Sequence, residues 1–313
     1  MSTNSSALIG VDWGTTRLRV FQIGIDGQIL DRRASPCGVA QLRAGDFDRV
    51  LRDIVAGWPS GLPMLMCGMI GSRQGWREVP YRPCPAGAKD LANTLGPIET
   101  SYGPAWIVGG VSTLHDQNAF GERGGRKIYD VMRGEETQIA GVASVGQTLM
   151  VTPGTHSKWT LVQADTIESF RTYMTGEIYA VLQKHSILGR LMHDGIGGQF
   201  DEASFLDGVH WGVEEPALLH SLFSVRTQGL FEQKTPAALV HYMSGILIGS
   251  EVSAEARRQR LDCPVIVIGS TQLTSLYQIA LAACGFRDVR PVEAEGAVAE
   301  GLWRLWQLRV ATL

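Results

Sequence analysis

The chain has 313 residues, 44% of them apolar, which is enough for two ordinary domains or one large α/β unit with a substantial core. With 28 Lys and Arg against 31 Asp and Glu, the net charge of -3 excludes the broad positive field that nucleic acid or an anionic membrane would require. Cys37, Cys67, Cys84, Cys263 and Cys284 are scattered without C-x-x-C spacing, so a disulfide framework and a zinc site are excluded and reduced thiols are expected.

In chain order, the opening MSTNSSALIG has no basic leader, and no later run reaches the length of a membrane span, so a cytoplasmic protein is expected. Residues 7 to 33 read as a three-stranded meander: ALIGV, a turn at DWGTT, the alternating RLRVFQI, a turn at Asp26-Gly27, then QILDRR. GDFDRVLRDIVAGW follows as an amphipathic helix, PMLMCGMIG as a buried strand with a turn, and AWIVGGV as a further strand. Residues 147 to 173 repeat the opening grammar, with QTLMV, a turn at TPGTH, SKWTLVQ, a turn near Asp165, and TIESFRTY. PAALVHYMSGILIGSEVSAEARRQR is then a long helix, in which Gly245 and Gly249 suit close packing. CPVIVIGS is a buried strand, TSLYQIALAACG a helix ending at Gly285, and GAVAEGLWRLWQLRV a closing helix with Val298, Leu302, Leu305 and Trp306 on one stripe. The basic clusters Arg123, Arg126 and Lys127, and Arg257, Arg258 and Arg260, read as solvated faces.

The returning meander predicts two homologous α/β domains, residues 1–143 and 144–313, because solenoid repeats are far shorter, about 20 to 50 residues. Each Gly- and Thr-rich turn can present consecutive N–H groups and hydroxyls to an anion. Two such turns facing each other could grip nucleotide phosphates across a cleft, with Asp12 holding Mg²⁺ through water, since that ion dehydrates reluctantly. Competing motifs are missing. No G-x-G-x-x-G follows a strand, GERGGRK places Arg126 where a phosphate loop needs its second Gly, and neither H-E-x-x-H nor G-x-S-x-G occurs.

The duplicated DxGTT-type hairpin, the later Gly-Ser turn after a buried strand and the closing helix resemble the actin-like ATPase superfamily, which includes sugar kinases. CGMIGSRQGWREVPY, DVMRGEETQIAG, TPGTHSKW, FRTYMTGE and MSGILIGSE resemble the motifs of the 2-dehydro-3-deoxygalactonokinase family, over a stretch from Ile9 to Trp303. The resemblance implies a fold of duplicated ribonuclease H-like halves and transfer of the ATP γ-phosphoryl group to the 6-hydroxyl of 2-dehydro-3-deoxy-D-galactonate. It implies magnesium as cofactor and domain closure on substrate. The implied partners are ATP and a small sugar acid, with neither nucleic acid nor membrane, and a homodimer is compatible with it.

By position in that pattern, Asp12, Gly14, Thr15 and Thr16 form the first phosphate hairpin, and Gly154, Thr155, His156, Ser157 and Lys158 the second. His156 contacts phosphate or orients its turn. Gly269 and Ser270 form the turn beside adenosine. The proton acceptor is expected to be Asp130, read as the N-cap of a helix in VMRGEETQIAGVA, with Asp116 and Glu135 as alternatives. Arg73, Trp76, Arg133 and Glu136 are expected at the sugar acid, with Arg171, Thr175 and Glu177 behind them.

Overall fold

The structure, a computed structural model, describes residues 5–43, 45–117 and 126–312. Arg123 and the side chains of Asp116 and Arg126 lie outside the described residues. The first elements are β1 (Ser6–Trp13), β2 (Leu18–Gly24), β3 (Ile29–Ser35), α1 (Phe47–Ile54), β4 (Met64–Cys67), β5 (Arg82–Pro83), β6 (Ala86–Gly87), α2 (Ala88–Asn93), β7 (Gly96–Glu99), β8 (Pro104–Ile107), β9 (Val111–Gln117), β10 (Arg126–Met132) and α3 (Glu135–Ala140). There follow β11 (Gln147–Thr152), β12 (Ser157–Gln163), β13 (Thr166–Tyr173), α4 (Thr175–His185), α5 (Gly189–Met192), α6 (Glu202–Glu214), α7 (Leu218–Leu230), α8 (Pro236–Ala256), β14 (Val265–Gly269), α9 (Thr271–Ala283), β15 (Val289–Glu293) and α10 (Ala294–Val310).

One sheet has the order β3-β2-β1-β4-β8-β7 and another β15-β14-β11-β12-β13-β6. Within these sheets, the runs β3-β2-β1-β4-β8 and β13-β12-β11-β14-β15 follow the same order. In each, an antiparallel meander is extended by a parallel strand, β4 beside β1 and β14 beside β11. This is the duplicated actin-like arrangement. β4 is buried along its whole length, which is why MLMC reads as an unbroken apolar run. β3 is an edge strand whose Asp31, Arg32 and Arg33 discourage pairing with another chain.

The chain divides into two compact units. One comprises Met1–Gln147, Thr160–Arg171 and Glu293–Leu313, and the other Thr148–Trp159 and Thr172–Val292. The division therefore departs from a single cut after residue 143, since a segment of the second meander and the closing helix belong to the first unit. The first unit is built on Trp13, Phe47, Met64, Met66 and Ile107, and Val298, Leu302 and Leu305 of α10 are buried within it. The second centres on Met192, Val225, Met243 and Ile246. There α6 and α8 pack backbone to backbone: a Cβ on Gly208, Gly212, Gly245 or Gly249 would collide with the facing helix, the close approach expected of Gly245 and Gly249.

The third sheet, β10-β9-β5, overturns one expectation. Asp130 is no helix cap, because it sits inside β10 opposite Thr113 of β9. Ile128, Tyr129 and Val131 favour the extended chain, and the helix starts only after Gly134, whose φ of 113° suits glycine. Among the described residues, no helix is long and apolar enough to cross a membrane.

Candidate active site

The turn between β1 and β2 is closed by the Gly14 N–H, which donates to the Arg17 carbonyl at 2.9 Å. Its carbonyls are held from behind: Val39 N–H donates to Gly14 O and Ala40 N–H to Thr15 O, both at 3.0 Å. Glycine is required just before these donors, since a Cβ on Gly38 would collide with the backbone of Thr15 and Thr16. The turn between β11 and β12 uses the same device. Glu177 N–H, in the first turn of α4, donates to Thr155 O at 2.9 Å, and a Cβ on Gly176 would collide with the Gly154 carbonyl. Carbonyls are thus occupied in both hairpins, whereas the N–H groups of Thr15, Thr16, Thr155 and His156 enter none of these turn bonds. That leaves each turn able to receive an anion.

Asp12, next to last in β1, lies directly opposite Arg19 of β2, and Arg19 Nε donates to its Oδ2 at 3.0 Å while Nη2 binds the same oxygen. Burial raises the Asp12 carboxyl above its ordinary range, with the Arg19 guanidinium pulling the other way. Cys67, the parallel partner of Asp12 at the end of β4, lies 4.0 Å from Oδ1. Burial pushes the Cys67 thiol far up, and the charges of Asp12 and Glu136 add to that. Asp12, Cys67 and Glu136 therefore come together where β1 and β4 meet the start of α3, at the carboxyl ends of two parallel strands. Ligands collect at such a place in α/β sheets.

Glu136 is fully buried, accepting from Gly134 N–H at 2.6 Å and from Thr137 Oγ1 at 2.9 Å. Its carboxyl is pushed up to about 7, first by burial and then by the neighbouring Glu135 charge. Glu135 is half-buried, and its Oε2 accepts the Arg133 N–H at 3.0 Å. Asp130 instead faces His115, with 3.1 Å between carboxylate and Nε2.

The cations expected at the sugar acid separate sharply. The Arg73 side chain is 87% exposed and paired with Glu78, as a surface ion pair would be. The Arg133 guanidinium stacks on Tyr81 at 4.3 Å and donates from Nη2 to Val79 O, while its Nε and Nη1 are buried without a hydrogen-bond partner among the described residues. Trp76 stacks on Phe47 and packs against the first unit's core, so packing accounts for it. Arg171 is half-buried in β13. Thr175 opens α4 in the second unit, and Glu177 pairs with His156 of the second hairpin.

The second unit contains a cavity of about 630 Å³ bordered by Gly154, by Thr175, Gly176 and Tyr179 of α4, by His241 and Ser244 of α8, and by Gln272 and Ser275 of α9. Ser270 caps α9 by accepting from Leu273 N–H, so the Gly269-Ser270 turn delivers that helix to the cavity wall. Within the second hairpin Gly154, Thr155 and His156 are accessible, whereas Ser157 and Lys158 are buried. These two support the turn from inside: Ser157 Oγ is 2.8 Å from Tyr277 Oη, and Lys158 Nζ donates to His156 O. The lining residues of α8 and α9 were missed by sequence reasoning. Their signal is polar pairs three apart, His241 with Ser244 and Gln272 with Ser275, in the N-terminal halves of helices that bury apolar residues.

Among the described residues no group of three or more His, Cys, Asp or Glu could cage a metal. A lone carboxylate still fits Mg²⁺, which keeps most of its waters, and Asp12 Oδ1 lies outside the Arg19 bonds.

A family model described as 2-keto-3-deoxy-galactonokinase matches residues 12–305. The Rhizobium meliloti (strain 1021) protein named as a probable 2-dehydro-3-deoxygalactonokinase is 35% identical over 306 residues, 96% of each chain. The Escherichia coli (strain K12) 2-dehydro-3-deoxygalactonokinase is 34% identical over 298 residues, 94% of this chain and 95% of its own. A crystal structure from Sinorhizobium meliloti, assigned to the same enzyme, superposes with a TM-score of 0.84 at 35% identity, covering 96% of this chain and 98% of that one.

Proposed function

The chain belongs to the 2-keto-3-deoxy-galactonokinase family, and from that premise we propose that it transfers the γ-phosphoryl group of ATP to the 6-hydroxyl of 2-dehydro-3-deoxy-D-galactonate. The observation that carries this reading is the pair of hairpins, each fixed through its carbonyls so that its N–H groups are available to phosphate. Such transfers need positioning and charge neutralisation more than covalent help from side chains. Within the second unit, Gly154, Thr155 and His156 would receive phosphate, with the base and ribose in the cavity beside α8 and α9.

Magnesium is the ion proposed for Asp12, held through water. When bound it would neutralise phosphate charge. Arg19 keeps the Asp12 carboxylate oriented. For the proton acceptor, the proposal passes from Asp130 to Glu135, the alternative in the first turn of α3. Asp130 is engaged by His115 within a strand, and Glu136 is spent on Gly134 and Thr137. Two adjacent carboxylates do not both ionise easily, and burial with the neighbouring Glu135 charge pushes the Glu136 carboxyl up to about 7. Arg133, whose Nε and Nη1 have no hydrogen-bond partner among the described residues, would meet the substrate carboxylate through a charge-assisted hydrogen bond. A cytoplasmic setting, where ATP is supplied, fits the same reading.

Phosphorus NMR of a reaction with Mg-ATP and the keto-acid tests it. A phosphomonoester signal coupled to two methylene protons is expected, and release of ADP with inorganic phosphate alone would overturn the proposal.

A further inference from the structure

The second unit contains a buried polar network that a packed core does not require. Glu251 of α8 is 3% exposed, yet its carboxyl accepts from Trp159 Nε1 at 2.7 Å, from Tyr277 Oη at 2.9 and 3.0 Å, and from Thr175 Oγ1. Tyr277 Oη in turn lies 2.8 Å from Ser157 Oγ. A carboxyl at this depth is costly to desolvate, and an aliphatic side chain would fill the space without that cost.

The locations of its partners give the acid a purpose. Ser157 ends the second hairpin, and Thr175 opens α4, whose Glu177 N–H holds the Thr155 carbonyl. Thr175 and Tyr277 also border the cavity. In its ionised form Glu251 takes the protons of Trp159, Thr175 and Tyr277, so Tyr277 Oη accepts from Ser157 and every hydroxyl in the chain has one orientation. A single carboxyl thereby joins the hairpin strand β12 to α4, α8 and α9.

We propose that Glu251 is a positioning residue for the nucleotide's polyphosphate: acting through Thr175 and through Tyr277 and Ser157, it holds the hairpin from Gly154 to Ser157 in its phosphate-binding geometry before the nucleotide arrives. This rests on reading that hairpin as a phosphate site. Pre-organisation of this kind spares the bound state the entropy of ordering a loop, and it acts on phosphate contacts rather than on the nucleoside.

The test uses the full chain with Glu251→Leu, Glu251→Gln and Tyr277→Phe, and calorimetric titration with Mg-ATP and, separately, with adenosine. Glu251→Leu is expected to weaken Mg-ATP by about tenfold or more and to raise the KM for ATP in parallel, while adenosine affinity and the KM for the acid stay within about twofold. Glu251→Gln keeps one acceptor oxygen for Trp159 Nε1, and its NH2 can donate to Thr175 Oγ1, so it should recover most of that loss. Equal weakening of adenosine and Mg-ATP, or unchanged Mg-ATP affinity in a folded Glu251→Leu, overturns the proposal. Should the leucine variant fail to fold, Tyr277→Phe decides: a loss of about threefold or more confined to Mg-ATP supports the proposal, and no loss overturns it. Wild-type protein that binds no Mg-ATP would overturn the underlying nucleotide reading, whereas wild-type binding with an unchanged variant ratio would overturn this inference alone.

Discussion

Asp12 and Arg19 are directly opposed across β1 and β2, and the guanidinium grips one oxygen of the carboxylate at the base of the first hairpin. Arg19 also lies 3.6 Å from Glu295 of the closing helix, so the last element of the chain steadies the residue that steadies Asp12. Removing the cation should leave Asp12 buried beside Glu295 with its pKa driven further up. Arg19→Met is therefore expected to raise the magnesium concentration for half-maximal activity by about tenfold. A magnesium titration of activity at fixed ATP would show this, and an unshifted midpoint would separate Arg19 from metal binding.

The acid pair at the start of α3 can be dissected by kinetics. Glu135→Gln should lower kcat by about a hundredfold or more with ATP binding kept within about threefold, as loss of a general base does. Asp130→Asn should retain turnover within about threefold, because its partner is His115 on the neighbouring strand. The reverse ranking would return the role to Asp130.

Arg133 and Arg73 offer a contrast between a partly buried and an exposed cation. Arg133→Ala should raise the KM for the keto-acid by about tenfold to a hundredfold, the scale of a charge-assisted hydrogen bond. Arg73→Ala should change it less than about twofold, since the side chain is 87% exposed and bound to Glu78. Initial rates over a range of acid concentrations would discriminate them.

Stability should depend on pH through Glu136 and Glu251, each held at about 7 in the folded chain against an ordinary value of 4.5. The folded protein binds these protons more tightly than the unfolded chain. Their stabilising contribution is therefore complete below pH 4.5 and is lost as pH rises through about 7. Glu251→Gln removes one titration, so between acid and alkaline pH the wild type should lose up to about 3 kcal/mol relative to the variant. Urea melts of both proteins at either end of that range would measure the difference, and parallel pH profiles would contradict it.

Legibility in the sequence followed the range of the interaction. The hairpins could be read because Gly14-Thr15-Thr16 and Gly154-Thr155-His156 encode their turns within a few residues. Asp130 was misread because an acid shortly before a Gly and two Glu has the form of a helix start, while pairing with the distant β9 made it a strand. Arg73 and Arg133 look alike in sequence, and burial alone separates them. The cavity wall draws on α4, α8 and α9, elements separated by some hundred residues at their extremes, so no local pattern could assemble it. Interleaving of the two units was hidden for the same reason, since α10 finds its packing partners in the first unit.

The central claim is tested most directly by ADP release from Mg-ATP across 2-dehydro-3-deoxygalactonate, its gluconate-derived epimer, glucose and N-acetylglucosamine. The account predicts strong turnover with the galactonate-derived keto-acid, lost in Glu135→Gln. Turnover confined to the neutral sugars, or none with any acceptor, would contradict it.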